Sequence, residues 1–203
     1  MEYGHFLIII ILILILNKSS LKEYLTTKKE ISDLDKRYYK VSSNLSDSRK
    51  AANKLSELHA FIINLMTVLK KKFVLGNEGS LSERMFVTRL LKRYNPDTFS
   101  ENNPDNSGET SFVVNKGEQF SVCLREKNNG KIGAFHQNNT LQFVIMHELS
   151  HIGCNSFGHN EEFWTAFRFL IKEATSNGLY TPVNYSVNPT KYCGMTINHN
   201  PIF

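Results

Sequence analysis

The residues of this chain whose types and spacing best suit chemistry are two histidines four apart, His147 and His151 in "HELSH", with Glu148 beside the first and His159 after Gly158. On an α-helix, residues four apart differ by about 40° and one turn of rise, so these two imidazoles point the same way and can meet one ion. Zinc in a hydrolase takes three protein ligands and leaves one position open to water. The helix supplies two of the three, and the Glu148 carboxyl is placed to take a proton from that water. His159, with seven residues between it and His151, is the preferred third ligand. Glu161 and Glu162 are its rivals, but acidic residues opening a helix are more simply explained by their interaction with its dipole. His136 and His199 read as surface or hydrogen-bonded histidines, and His5 and His59 as lying outside the cleft. Tyr185 and Tyr192, in the tail, are candidate oxyanion stabilisers.

These residues need a rigid frame. "LQFVIMHELSH" is unbroken helix former, with Leu141, Val144, Ile145, Leu149 and Ile152 available for burial and Thr140 as its cap. Gly153 is a natural left-handed stop that would let the chain return with its third ligand. A second amphipathic helix, about 161 to 176, is capped by Asn160 and ended by Asn177-Gly178, and its aromatic stripe would fix His159. Upstream, "RYYKV" reads as a short strand, 47 to 72 as a helix, and Ser80 with Glu83 as a capping box opening a helix over 81 to 94. Residues 97 to 109 read as a loop, and "SFVVNKGEQFSV" as two strands around Asn-Lys-Gly. "KNNGKIGAF" predicts a turn into an edge strand that would align a peptide along the cleft. The Pro- and Asn-rich tail after 180 predicts irregular chain wrapping the surface. The fold class predicted is α+β, a zincin-like helical domain with a small antiparallel sheet.

The chain has 203 residues, 41% hydrophobic and 21% charged, which suits one globular domain with additions. "FLIIIILILIL", residues 6 to 16, predicts a transmembrane anchor over 1–17, followed by a polar, helical stalk over 18–36 and the metallopeptidase domain over 37–203. Lys18 and Lys22 follow the apolar run, which predicts a single-pass membrane protein with its globular part cytosolic or inside a virion membrane. Three cysteines at unrelated spacings argue against a disulfide framework and a cysteine-ligated zinc site, and for a reducing compartment. Residues 17 to 93 carry 17 Lys/Arg against 8 Asp/Glu, whereas 94 to 203 carry 7 against 10. The basic half could face nucleic acid, but with scattered charges and no binding motif a solvated surface is the simpler reading.

"HELSH" followed by "GHNEEFW" resembles the WLM (Wss1-like) zinc metallopeptidases, related in turn to SprT-type proteases. "RYNPD" and "KYCGM" resemble members of that group found in large DNA viruses and microbial eukaryotes. The resemblance covers about residues 37 to 200 and implies zinc held by His147, His151 and His159, Glu148 as the base, and protein or peptide substrates. The interval from His151 to His159 is longer than is typical of the family. By analogy with metzincins, Met195 is a candidate for a turn beneath the metal, a reading the sequence does not favour. The expected function is a membrane-anchored zinc-dependent metalloendopeptidase. The competing expectation is a non-catalytic membrane or virion structural protein with a structural zinc centre.

Overall fold

A computed structural model describes residues 26–103, 110–128 and 131–203. The predicted membrane anchor lies outside them, and no helix among the described residues is long and apolar enough to cross a membrane.

The domain is α+β. Its main sheet has the order β1-β2-β3-β5-β4, built from β1 (Thr27–Ile31), β2 (Tyr38–Ser42), β3 (Phe99–Glu101), β4 (Phe112–Val114) and β5 (Gln119–Val122). The sheet is mixed, not antiparallel as expected: β2/β3 and β3/β5 run parallel, and β1/β2 and β4/β5 antiparallel. Between β2 and β3 the chain makes α1 (Ser48–Leu69), extended by a π-helical segment to Leu75, and α2 (Leu81–Arg93). Ala52, Leu55, Ile62, Leu65 and Leu69 of α1 are buried, as their helical spacing requires. The capping box on α2 forms as read, with Ser80 accepting from the Glu83 amide and Glu83 from the Ser80 amide. Met85 is half exposed, while Phe86, Val87 and Leu90 are buried.

After β5 come the hairpin β6 (Arg125–Asn128) and β7 (Lys131–Phe135), then α3 (Asn138–Gly153), α4 (Glu161–Ser176) and the hairpin β8 (Thr190–Tyr192) and β9 (Met195–Ile197). α3 packs against α1, α2 and α4.

Several expectations are corrected. The described part of the predicted stalk holds β1, paired from Thr27↔Ser42 to Ile31↔Tyr38, so the domain reaches back to at least Thr27. Its charges are tied to the first turn of α1, where Ser48 Oγ donates to Glu30 and Arg49 pairs with Glu30 and Asp33. The predicted loop over 97 to 109 contains β3, an inner strand of the sheet. Glu101 is buried there because its carboxylate accepts from the Ser42 amide at 2.9 Å and from Arg125 Nε at 3.0 Å. The tail is not irregular throughout, since β8 and β9 form a hairpin about a tight turn with Cys193 (φ 50°) and Gly194 (φ 81°) both left-handed. Finally, Cys123 and Cys193 form a disulfide across 70 residues of sequence, leaving Cys154 free and buried. The free-thiol argument for a reducing compartment therefore fails.

Candidate metal centre

α3 turns Leu141, Ile145, Leu149 and Ile152 into the core, and the opposite stripe carries His147 and His151 to the surface of a cleft. Gln137, not Thr140, is its N-cap, and Thr140 lies buried in the first turn. The chain leaves α3 at Cys154 and returns through Gly158, whose φ of 77° is the left-handed step that presents His159. Asn160 then caps α4, accepting from the Phe163 amide.

Gly153 has a different role from the one expected. It ends the helix without a left-handed φ, and a Cβ there would sit 2.2 Å from the Phe86 ring, so the glycine is needed for the close approach of α2.

His159 Nε2 lies 3.0 Å from His147 Nε2 and 3.2 Å from His151 Nε2. Two nitrogens bound tetrahedrally to zinc at about 2.0–2.1 Å stand about 3.3 Å apart, so the three imidazoles fit one zinc ion. The buried Phe163 ring touches all three, stacked on His151 at 4.4 Å and edge-on to His147 and His159 at 4.7 and 4.6 Å. Burial, reinforced by repulsion from the neighbouring imidazoles, lowers His147 to about 3 and His151 to about 4. Neutral imidazole is the ligand form.

Glu148 lines the same cleft, and burial pushes its carboxyl up to about 8. Glu162, the rival ligand, is otherwise engaged: its carboxylate accepts from the Asn155 and Ser156 amides at 3.0 Å each and from Ser156 Oγ, and lies 3.3 Å from Arg89. Burial opposes its ionisation, but these donors and the Arg89 charge outweigh it and hold the carboxyl at about 2. Glu162 thus fastens the loop between the second and third ligands, a role that goes beyond the helix dipole. Arg89 Nε donates to the Gly153 carbonyl, and Arg93 Nη1 to the carbonyls of Ile152 and Cys154, satisfying the end of α3. The Lys116 ammonium, from the β4–β5 turn, donates to the Ser156 carbonyl and sits 4.4 Å over the Phe157 ring.

The cleft has a volume of about 550 Å³. Phe143, Val144 and Phe167 form a buried apolar floor beside His147. β4, the outer strand of the main sheet, forms one wall, in place of the expected "KIGAF" strand, which pairs with β6 in a separate hairpin. β9 and the residues after it form another wall, in which Met195 is half exposed. Tyr185 does not line the cleft, and Tyr192 lines it with its hydroxyl already engaged. Tyr185 is buried against Phe143 at 4.9 Å, and the buried Tyr192 hydroxyl donates to the Cys123 carbonyl at 3.0 Å and pairs with Ser111. His199, set aside in the sequence, stands exposed in the cleft wall with its ring 6.1 Å from Trp164. Only the hairpin places it there, and no local pattern signals that hairpin.

The fold and site define an α+β domain with a three-histidine centre and a buried carboxyl at the same cleft. The chain belongs to the family of protein R325 of Acanthamoeba polyphaga mimivirus, to which it is 31% identical over 193 residues, 95% of this chain and 91% of that one. It is 26% identical over 157 residues to protein 042R of invertebrate iridescent virus 3, covering 77% of this chain and 91% of that one. With protein 136R of invertebrate iridescent virus 6 the identity is 28% over 120 residues, 55% of this chain and 66% of that one. Among solved structures it is similar to Wss1 from Saccharomyces cerevisiae, with a TM-score of 0.46 and 17% identity over 68% of this chain and 89% of that one. No family model matches the chain.

Proposed function

We propose that this protein is a zinc-dependent endopeptidase in which His147, His151 and His159 hold the metal and Glu148 moves the proton. The observation that carries the reading is the convergence of three Nε2 atoms, 3.0 and 3.2 Å apart, at a cleft that Glu148 also lines. When bound, zinc supplies Lewis-acid polarisation of a carbonyl and lowers the pKa of water. The chain's own residues do the rest. Glu148 Oε takes the proton from the attacking water and delivers it to the leaving amine. The outer strand β4, whose far edge pairs with no strand among the described residues, can pair with an extended substrate segment. The floor of Phe143, Val144 and Phe167 receives a large apolar side chain and excludes water from beside the reacting bond. A purely structural zinc centre would use four protein ligands, whereas here three imidazoles face an accessible cleft. The apolar run Phe6–Leu16 enters this reading as a tether to a bilayer, which fractionation of the full chain with membranes would test.

The deciding experiment measures zinc content and peptide hydrolysis together. The parent should bind about one zinc per chain and cleave an unstructured protein substrate, and Glu148→Gln should keep zinc and fold while losing about 10²–10⁴-fold in turnover. A zinc-free protein after replenishment, or undiminished turnover in the variant, overturns the reading.

A further inference from the structure

The disulfide and the cleft meet in one hairpin. Cys193 sits in the tight turn between β8 and β9, and the segment following that turn, Met195 to His199, lines the cleft. The other end of the bond, Cys123, directly follows β5 in the main sheet. We propose that the Cys123–Cys193 bond is a redox latch that fixes the β8–β9 hairpin as a cleft wall, so that thiol reduction loosens the wall and weakens substrate capture while leaving the metal centre intact.

Beside the disulfide, the hairpin is anchored through Tyr192, which is buried and whose ring lies 4.7 Å from that of His136. Its strands are three residues each, too short to be stable as an isolated pair. Among the hydrogen bonds that tie it to the rest of the domain, the Cys193 amide donates to His136 Nε2 at 3.1 Å, the Gly194 amide to Glu126 Oε1 at 3.2 Å, and the Tyr192 hydroxyl donates to the Cys123 carbonyl at 3.0 Å and pairs with Ser111. None of these bonds reaches α3 or α4, and no candidate metal ligand lies on the hairpin. The latch can therefore act on the wall without displacing the imidazoles.

The exchange is balanced by a monothiol reductant such as glutathione. A reductant thiolate attacks Sγ of Cys193, the more exposed residue of the pair at 6% against 1% for Cys123. The Sγ–Sγ bond breaks, and Cys123 leaves as thiolate. A second reductant thiolate displaces the mixed disulfide; two protons from the reductant end on the two cysteines, and the reductant departs as its own disulfide. Cys154, buried and with its thiol raised to about 11, takes no part.

The effect on substrate capture rests on the peptidase reading; the effect on the hairpin does not, and the test reads them separately. The full chain in detergent, loaded with zinc, is compared oxidised, reduced by glutathione, and as Cys193→Ser, with thiols counted by mass after alkylation. Tryptic cleavage at the exposed Lys191 reports hairpin opening and should accelerate about tenfold on reduction. KM for a peptide should rise about tenfold, with zinc content and kcat held within about twofold. Unchanged cleavage at Lys191 after both sulfurs are alkylated overturns the latch. Faster cleavage with unchanged KM overturns the wall's part in capture. If zinc-loaded protein hydrolyses no peptide in either state, the peptidase reading fails, and Lys191 cleavage alone decides the latch.

Discussion

The Phe163 ring lies stacked against the His151 imidazole, centroids 4.4 Å apart and planes 29° from parallel, and the same ring borders His147 and His159. One fully buried side chain from the first turn of α4 thus sets the attitude of ligands from two separate segments. Phe163→Leu keeps an apolar filler but removes that flat surface. Zinc affinity should fall about 10–100-fold, as for loss of a supporting contact around a metal ligand, with all three histidines present. Competition against a chromophoric chelator measures it, and parental affinity in the variant would show that the imidazoles orient themselves.

Glu162 and His159 are separable by rank. His159→Ala removes a ligand and should cost zinc affinity most. Glu162→Gln keeps the ligand but weakens the ties to the Asn155 and Ser156 amides, and should give a smaller loss of about tenfold. A larger loss from Glu162→Gln than from His159→Ala would make the carboxylate the ligand.

Much of this centre was legible in the sequence because its determinants are local. The HELSH spacing is read directly from helix geometry, and the bounds of α2 and α4 follow from side chains that cap them, Ser80 with Glu83 and Asn160. What was missed depends on distant partners. β3 is three residues long with a glutamate, which is buried because the Ser42 amide and Arg125 meet it from 59 and 24 residues away. β1 reads as polar chain, since its pairing with β2 and the ties of Glu30 to α1 are tertiary. The disulfide spans 70 residues in a chain with an odd number of cysteines, and no spacing rule reaches it. The exchange of the "KIGAF" strand for β4 as cleft edge likewise follows from sheet order, which local pattern does not encode.

Substrate preference should follow the floor of the cleft. In a peptide library, a large apolar residue beside the cleaved bond should be favoured over a charged one by about 10–200-fold in kcat/KM, the range a hydrophobic pocket supplies. Mass spectrometry of the products reads the preference directly, and equal cleavage beside Asp and Leu would remove Phe143 and Phe167 from substrate recognition.

Acid should erase the contribution of Glu162. Its carboxyl is held at about 2 in the folded protein, below the ordinary value of 4.5, so its stabilisation is fully present above that ordinary value and is lost as pH falls towards 2. The difference in melting temperature between the metal-free parent and Glu162→Gln should be largest near neutrality and shrink steadily from about pH 5 to pH 2. A difference that stays constant with pH would place the effect in packing instead of charge.

Gly153 and Phe86 make one fit out of two helices: the ring of α2 occupies the space where a side chain at the end of α3 would begin. Evolutionary drift at either position is therefore constrained by the other. Among relatives, an alanine or larger residue at 153 should be found together with a smaller residue at 86, and a lone gain of side chain at 153 should be absent. The same coupling makes α2, which carries no candidate ligand, a hereditary partner of the helix that carries His147 and His151. A substitution remote from the three histidines is then tolerated or disruptive according to the residue its neighbour carries.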